Sequence, residues 1–126
     1  MYITVDEKDR RPIYQQIVDE IKGLIATGEL SQGTFLPPVR QVAADLGVNL
    51  NTVAFAYRQL QSDGLVKVRH GAGALVISRV LNEPVGDQTR NQLTAALTHL
   101  VLSGLKPSEV RTLVDEVLRR LYAEAS

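Results

Sequence analysis

Residues 43 to 77 constrain this chain more than any other stretch. They run Ala43-Ala44-Asp45-Leu46-Gly47-Val48-Asn49-Leu50-Asn51-Thr52-Val53, then a helical segment to Asp63-Gly64, then two alternating runs ending Ala74-Leu75-Val76-Ile77. A small side chain at Ala43 allows two helices to cross closely. Gly47, four residues on, can take the left-handed turn between them. Val53, ten residues after Ala43, can anchor the second helix in a core. The alternating runs around His70-Gly71-Ala72-Gly73 predict a β-hairpin. The outline is a winged helix-turn-helix, a unit that places its second helix in the DNA major groove.

A chain of 126 residues accommodates one such domain and a small accessory element. An apolar fraction of 44% with balanced charge argues for a folded protein. There is no cysteine, which excludes a disulfide framework, a thiolate metal site and a cysteine nucleophile. The two histidines, His70 and His99, are far apart, so no metal site and no cofactor is expected. The first residues lack the basic start and apolar run of a signal peptide. No stretch of about 18 apolar residues could span a membrane. The expectation is a soluble cytoplasmic protein without a membrane partner.

Net charge is zero, with 14 basic and 14 acidic residues, which taken alone weighs against nucleic acid. The distribution matters more than the total. Residues 10 to 80 hold eight Lys/Arg against five Asp/Glu, and the remaining segments are slightly acidic. The positive excess falls on the segment assigned to DNA. It is modest, so non-specific affinity should be modest too.

Residues 1 to 10 read as extended, with Tyr2, Ile3 and Val5 as a possible short strand. Pro12 suits a first helical turn. Ile13, Ile17, Ile21, Leu24 and Ile25 follow at helical spacing, and Gly28 stops the helix. Leu30 to Pro37 reads as a connection. Pro38 opens a second helix to about Leu46, with Val39, Val42, Ala43 and Leu46 inward. Asn49 is an N-cap for the third, with Val53, Ala56, Tyr57 and Leu60 as its inner stripe. Residues 1–78 are thus expected to form the winged helix-turn-helix and 79–88 a linker, by the composition of Asn82-Glu83-Pro84-Val85-Gly86-Asp87.

Residues 89–126 predict a helical hairpin. Thr89 opens its first helix, with Gln92 as capping-box partner. Gly104 ends it and Pro107 starts the second. Leu93, Leu97, Leu100 and Val101 share one face of the first helix. Val110, Leu113, Val114, Val117, Leu118 and Leu121 make a broad apolar stripe on the second. Two helices cannot form a self-sufficient core. The stripe calls for a second copy of the chain, giving a twofold homodimer, with packing back on its own winged helix as the alternative.

With these segments in hand, the chain resembles the GntR family of bacterial transcription regulators, in its short YtrA-like branch. The match is carried by Pro12-Ile13-Tyr14-Gln15-Gln16-Ile17, Gly28-Glu29-Leu30, Leu36-Pro37-Pro38-Val39-Arg40, Leu46-Gly47-Val48-Asn49, Asn51-Thr52-Val53, Ala56-Tyr57-Arg58, Leu60, Gly64-Leu65-Val66 and Gly71-Ala72-Gly73. Each piece is weak alone; the order and spacing make the set specific. The resemblance implies a mainly α fold with a small β-hairpin wing, N-terminal DNA binding and C-terminal dimerisation. It also implies a repressor reading an inverted-repeat operator. The helical pair is too short for the ligand domains of larger branches, and the aminotransferase-like domain of the MocR branch is not expected. The family often carries Arg where this chain has Leu50, and Ser or Ala where it has Pro38. Its short members commonly carry a polar or charged residue where this chain has Phe55.

Candidate DNA-contacting residues follow from both lines. Arg40 can clasp phosphate or guanine bidentately. Asn49, Asn51 and Thr52 open the recognition helix, whose amides favour phosphate, and Asn can read adenine. Asn49 suits a cap, Asn51 and Thr52 a contact. Leu50 and Phe55 are apolar where the helix should face DNA: either they meet thymine methyl groups, or they pack against the wing or another part of a dimer. Arg58 can reach a phosphate or pair with Asp63. Lys67, Arg69, His70 and Gly71 belong to the wing, whose tip the resemblance directs to the minor groove. No nucleophile–base set, phosphate-cradling glycine loop or carboxylate pair points to an enzyme. The competing function is a protein-interaction module that kept the scaffold with weak DNA affinity. A small-molecule effector could bind between the two domains or at the dimer interface, and nothing in the sequence names one.

Overall fold

The computed structural model describes residues 1–70 and 73–123. The chain divides into two compact units, Met1–Asn82 and Glu83–Ser126. The first contains α1 (Ile13–Thr27), β1 (Phe35–Leu36), α2 (Val39–Leu46), α3 (Leu50–Ser62), β2 (Val66–Arg69) and β3 (Gly73–Val76). The second contains α4 (Asp87–Leu102) and α5 (Pro107–Leu121).

The α1 stripe predicted from spacing is the floor of the core. Ile17, Ile21 and Ile25 are buried, joined by Val18, while Ile13 and Leu24 pack at its margin. From α2 come Val42 and Ala43; from α3, Val53, Ala56, Tyr57 and Leu60. Gly47 sits at φ 68°, and the Val48 N–H reaches back to the Ala43 carbonyl at 3.0 Å, closing the tight turn into α3. Asn49 caps α3 as its sequence position predicts: its side-chain oxygen accepts from the Asn51 N–H at 2.7 Å.

The sheet is antiparallel with order β1-β3-β2. The hairpin pairs Val66 with Val76 and Val68 with Ala74. The third strand, β1, arises inside the segment expected to be a plain connection, pairing Leu36 with Ala74. Two residues long, it carries no periodicity to detect; pairing with β3 creates it.

The N-terminal arm differs from expectation in the opposite sense. Tyr2, Ile3 and Val5 form no strand. Ile3 is buried and Val5 packs on the core. What fastens the arm is Gln16, the buried polar side chain of α1. Its carbonyl oxygen accepts from the Asp6 N–H at 2.7 Å, and its amide donates to the Asp6 and Arg11 carbonyls at 2.9 and 3.0 Å. Outside this clasp, Arg11 bridges Asp9 and Asp19, both at 2.6 Å. Gln16→Leu keeps the volume but strands three backbone groups. It should cost about 2 kcal/mol and raise hydrogen exchange selectively across residues 3–11, measured by mass spectrometry.

Residues 79 to 82, expected as the start of the linker, hold on to the first unit. The Arg79 guanidinium donates to the Ile25 and Ala26 carbonyls at 3.2 and 2.8 Å, covering the last turn of α1. Asn82 donates from its amide to the Ser62 carbonyl and from its backbone to the Asp63 carbonyl, at 3.0 and 3.1 Å. Open helix ends, which composition does not show, recruit these residues.

In the second unit, α4 begins two residues before Thr89, after Gly86 in extended conformation and without a side-chain cap. Asp87 in the first turn complements the helix dipole, so the predicted Thr89–Gln92 box is not the start signal. Pro107 opens α5 as predicted, and the Glu109 carboxylate accepts from the Lys106 N–H at 2.9 Å. No residue of α4 or α5 is buried. Leu93, Val101, Leu113, Val114 and Val117 are exposed; Leu97, Leu100, Val110 and Leu121 are half-buried. Among the described residues, no helix is long and apolar enough to cross a membrane.

Candidate nucleic-acid interface

Three elements converge on one open groove of about 550 Å³. The start of α2 supplies Pro38, Val39 and Arg40. The first turns of α3 supply Leu50, Asn51 and Ala54. The hairpin supplies Val68, Arg69, His70 and Gly73. Five residues singled out in the sequence therefore share one concavity: Arg40, Leu50, Asn51, Arg69 and His70.

Local folding explains the convergence. Pro38 restricts its own backbone and sets α2 going at Val39, so Arg40 projects from the first turn. The Tyr57 hydroxyl, inside the unit, donates to the Pro37 carbonyl at 2.6 Å and ties the α2 entrance to the middle of α3. Burial pushes the Tyr57 hydroxyl far above the usual phenol range, so it stays a neutral donor at any ordinary pH. Asn49 spends its side chain on capping the Asn51 N–H, and Asn51 is exposed at the helix start.

The groove is electropositive. Among the described residues that line it, none is acidic. Among the described residues, no carboxylate pairs with Arg40, Lys67 or Arg69; the ion pairs are Arg11 with Asp9 and Asp19, and Lys22 with Asp63. Unpaired guanidinium groups beside a helix N-terminus suit phosphate and base edges.

The other candidates lie elsewhere. Thr52 is half-buried, and Lys67 is exposed on β2, on the same strand face as Arg69. Phe55 packs edge-on against Tyr14 of α1, with ring centroids 4.7 Å apart, and the Arg58 guanidinium lies over its ring at 6.0 Å. Arg58 does not pair with Asp63, whose carboxylate is held by Lys22 at 3.0 Å. Gly71 lies outside the described residues. Sequence reasoning missed Pro38, Val39, Ala54, Val68 and Gly73 as groove residues. Pro38 and Val39 read as a helix start and a core-facing position, and Ala54 and Val68 carry no polar group to mark them. Gly73 is notable for its φ of 77°, and for a Leu36 carbonyl oxygen that would sit 2.2 Å from any Cβ placed there.

A three-helix unit with a small sheet, whose second short helix and hairpin wall one cationic groove, defines the winged helix-turn-helix class. The model for bacterial regulatory proteins of the gntR family matches residues 13–76. The chain belongs to the gntR family, and its likeness is to the short, YtrA-like kind of regulator rather than to an enzyme. It is 35% identical over 74 residues to the HTH-type transcriptional repressor YtrA of Bacillus subtilis, covering 59% of this chain and 57% of that protein. The solved structure of YtrA from Sulfolobus acidocaldarius, a GntR-family transcription factor, superposes with a TM-score of 0.57 at 34% identity, covering 92% of this chain and 96% of that one. The DNA-binding domain of AraR, solved in complex with operator ORE1, gives a TM-score of 0.51 at 25% identity over 60% of this chain and 93% of that one. The chain thus spans a little over half the length of the curated YtrA repressor it matches.

Proposed function

We propose that this protein is a homodimeric, sequence-specific DNA-binding regulator that represses transcription from the cytoplasm by occupying an inverted-repeat operator. The observation that carries the reading is the groove itself: Arg40, Asn51, Arg69 and His70 face one concavity without a carboxylate among its lining residues. The operator-bound AraR domain and the repressor YtrA support the partner and the direction of control. The bare apolar stripe of α5 supports the dimer, since two recognition helices related by a twofold axis read two half-sites. Residues 1–82 bind DNA in this reading and residues 83–126 pair two copies.

A candidate place for a small-molecule effector in the first unit is an open pocket of about 300 Å³ between the N-terminal arm and α2, with Tyr2, Gln41 and Asp45 among its lining residues. These side chains are all exposed, and they define no ligand chemistry.

The test is fluorescence anisotropy with the protein's own promoter DNA against scrambled DNA, at two salt concentrations. Tight, salt-sensitive binding to the promoter is expected. Equal, weak, salt-insensitive binding to both would favour the protein-interaction module. Arg40→Ala and Asn51→Ala should each weaken promoter binding about tenfold or more with the thermal midpoint unchanged. Unaltered binding in both variants would refute the contact assignment.

A further inference from the structure

Leu50 and Phe55 are the two apolar side chains on the outer face of α3, and they are almost equally exposed, at 43% and 45%. Their surroundings differ. Phe55 is engaged within the unit, by the Tyr14 ring and the Arg58 guanidinium. Leu50 belongs neither to the buried core nor to the apolar residues packed against it. It lines the same groove as Arg40, Asn51, Arg69 and His70. Val39, Ala54 and Val68 add apolar surface to the lining of that groove. A leucine placed among side chains that would hold a polyanion is surrounded by charges complementary to DNA, not to an apolar protein helix.

We infer that Leu50 is a specificity-determining residue that reads the 5-methyl group of a thymine in each operator half-site; the inference rests on the DNA-binding reading above. The chemistry leaves few alternatives for such a side chain. Leucine offers no hydrogen bond. Pressed against guanine, adenine or cytosine, it would desolvate base-edge donors and acceptors without replacing their partners. Thymine is the natural base whose major-groove edge carries an apolar group. Position supports this further, because Leu50 is the first residue of α3, and recognition helices present their N-terminal residues to base edges.

The experiment uses the full chain. Duplexes are selected from a random pool, and the tightest is resynthesised with deoxyuridine replacing thymidine at one position at a time, which removes only the methyl group. Wild-type protein should lose about fourfold in affinity at one thymine per half-site, the loss of one buried methyl. Leu50→Ala should bind more weakly and show no difference between thymine and uracil there. Leu50 is exposed and alanine is the better helix former, so the variant should fold as the wild type does. Phe55→Ala should keep the full difference. Tight binding that ignores every uracil substitution would overturn the inference while sparing the DNA-binding reading. So would a penalty that persists in Leu50→Ala. Failure to select any duplex would overturn both.

Discussion

The double variant Leu113→Glu, Val117→Glu is expected to sediment as a monomer and to lose about 100-fold or more in affinity for a two-half-site operator. The two positions lie one helical turn apart on α5, are 38% and 44% exposed, and sit in the middle of the stripe from Val110 to Leu121. In one chain no side chain of α4 or α5 is buried, and the best covered are half-buried. Helices of 16 and 15 residues are marginal in water unless a face is covered. A second copy covers it with the same stripe, which is the condition for a twofold interface. Glutamate keeps helix propensity while placing four carboxylates across that interface. The affinity loss follows because the second half-site is otherwise captured at the high effective concentration set by the dimer. Binding to an isolated half-site should stay unchanged, since the groove residues are untouched. Analytical ultracentrifugation and anisotropy on one- and two-half-site duplexes read both outcomes. If the stripe instead covered its own winged-helix unit, the wild type would sediment as a monomer, and the variant would melt lower without any change in mass.

The parts of this molecule legible in its sequence are those whose signal is local. The α1 stripe, the turn at Gly47, the cap at Asn49 and the entry at Pro107 each depend on residues within a turn or two, and each is where the sequence puts it. Features made by distant partners were not legible. The strand β1 exists because Phe35 and Leu36 meet Leu75 and Ala74. The arm is fixed by an amide ten residues downstream of Asp6. Arg79 and Asn82 belong to the first unit because the ends of α1 and α3 need partners. The interface shows the same division. Arg40, Asn51 and His70 could be named as candidates by residue type and position, but whether they share a surface depends on tertiary packing. The sequence left Leu50 and Phe55 with identical alternatives. What separates them is Tyr14, 41 residues before Phe55 in the chain and against its ring in space.

Gly73→Ala should destabilise the first unit strongly. The residue sits at φ 77°, a region that costs a non-glycine residue about 1–2 kcal/mol. Space is the larger problem. A Cβ would lie 2.2 Å from the Leu36 carbonyl oxygen and 3.0 Å from the carbonyl carbon and oxygen of Pro37. These are backbone atoms and cannot rotate away. Leu36 pairs with Ala74 in the sheet, and the Pro37 carbonyl accepts the Tyr57 hydroxyl. Relief therefore means parting β1 from β3 or breaking the Tyr57 anchor, and either movement drags the α2 entrance that carries Arg40. With overpacking strain of about 1–3 kcal/mol added to the backbone cost, the unit should lose about 3–5 kcal/mol. That corresponds to a fall of at least about 12 °C in thermal midpoint for a domain of this size. Gly47→Ala is the matched control. Its φ of 68° imposes the same kind of backbone cost, but a Cβ there meets nothing within 4 Å, so it should lose only about 1–2 kcal/mol. Equal losses in the two variants would show that the close approach of β3 to the α2 entrance contributes nothing. A much larger loss at Gly73, with promoter binding weakened below the midpoint, would show that one glycine holds the wing and the start of α2 at the spacing the groove requires.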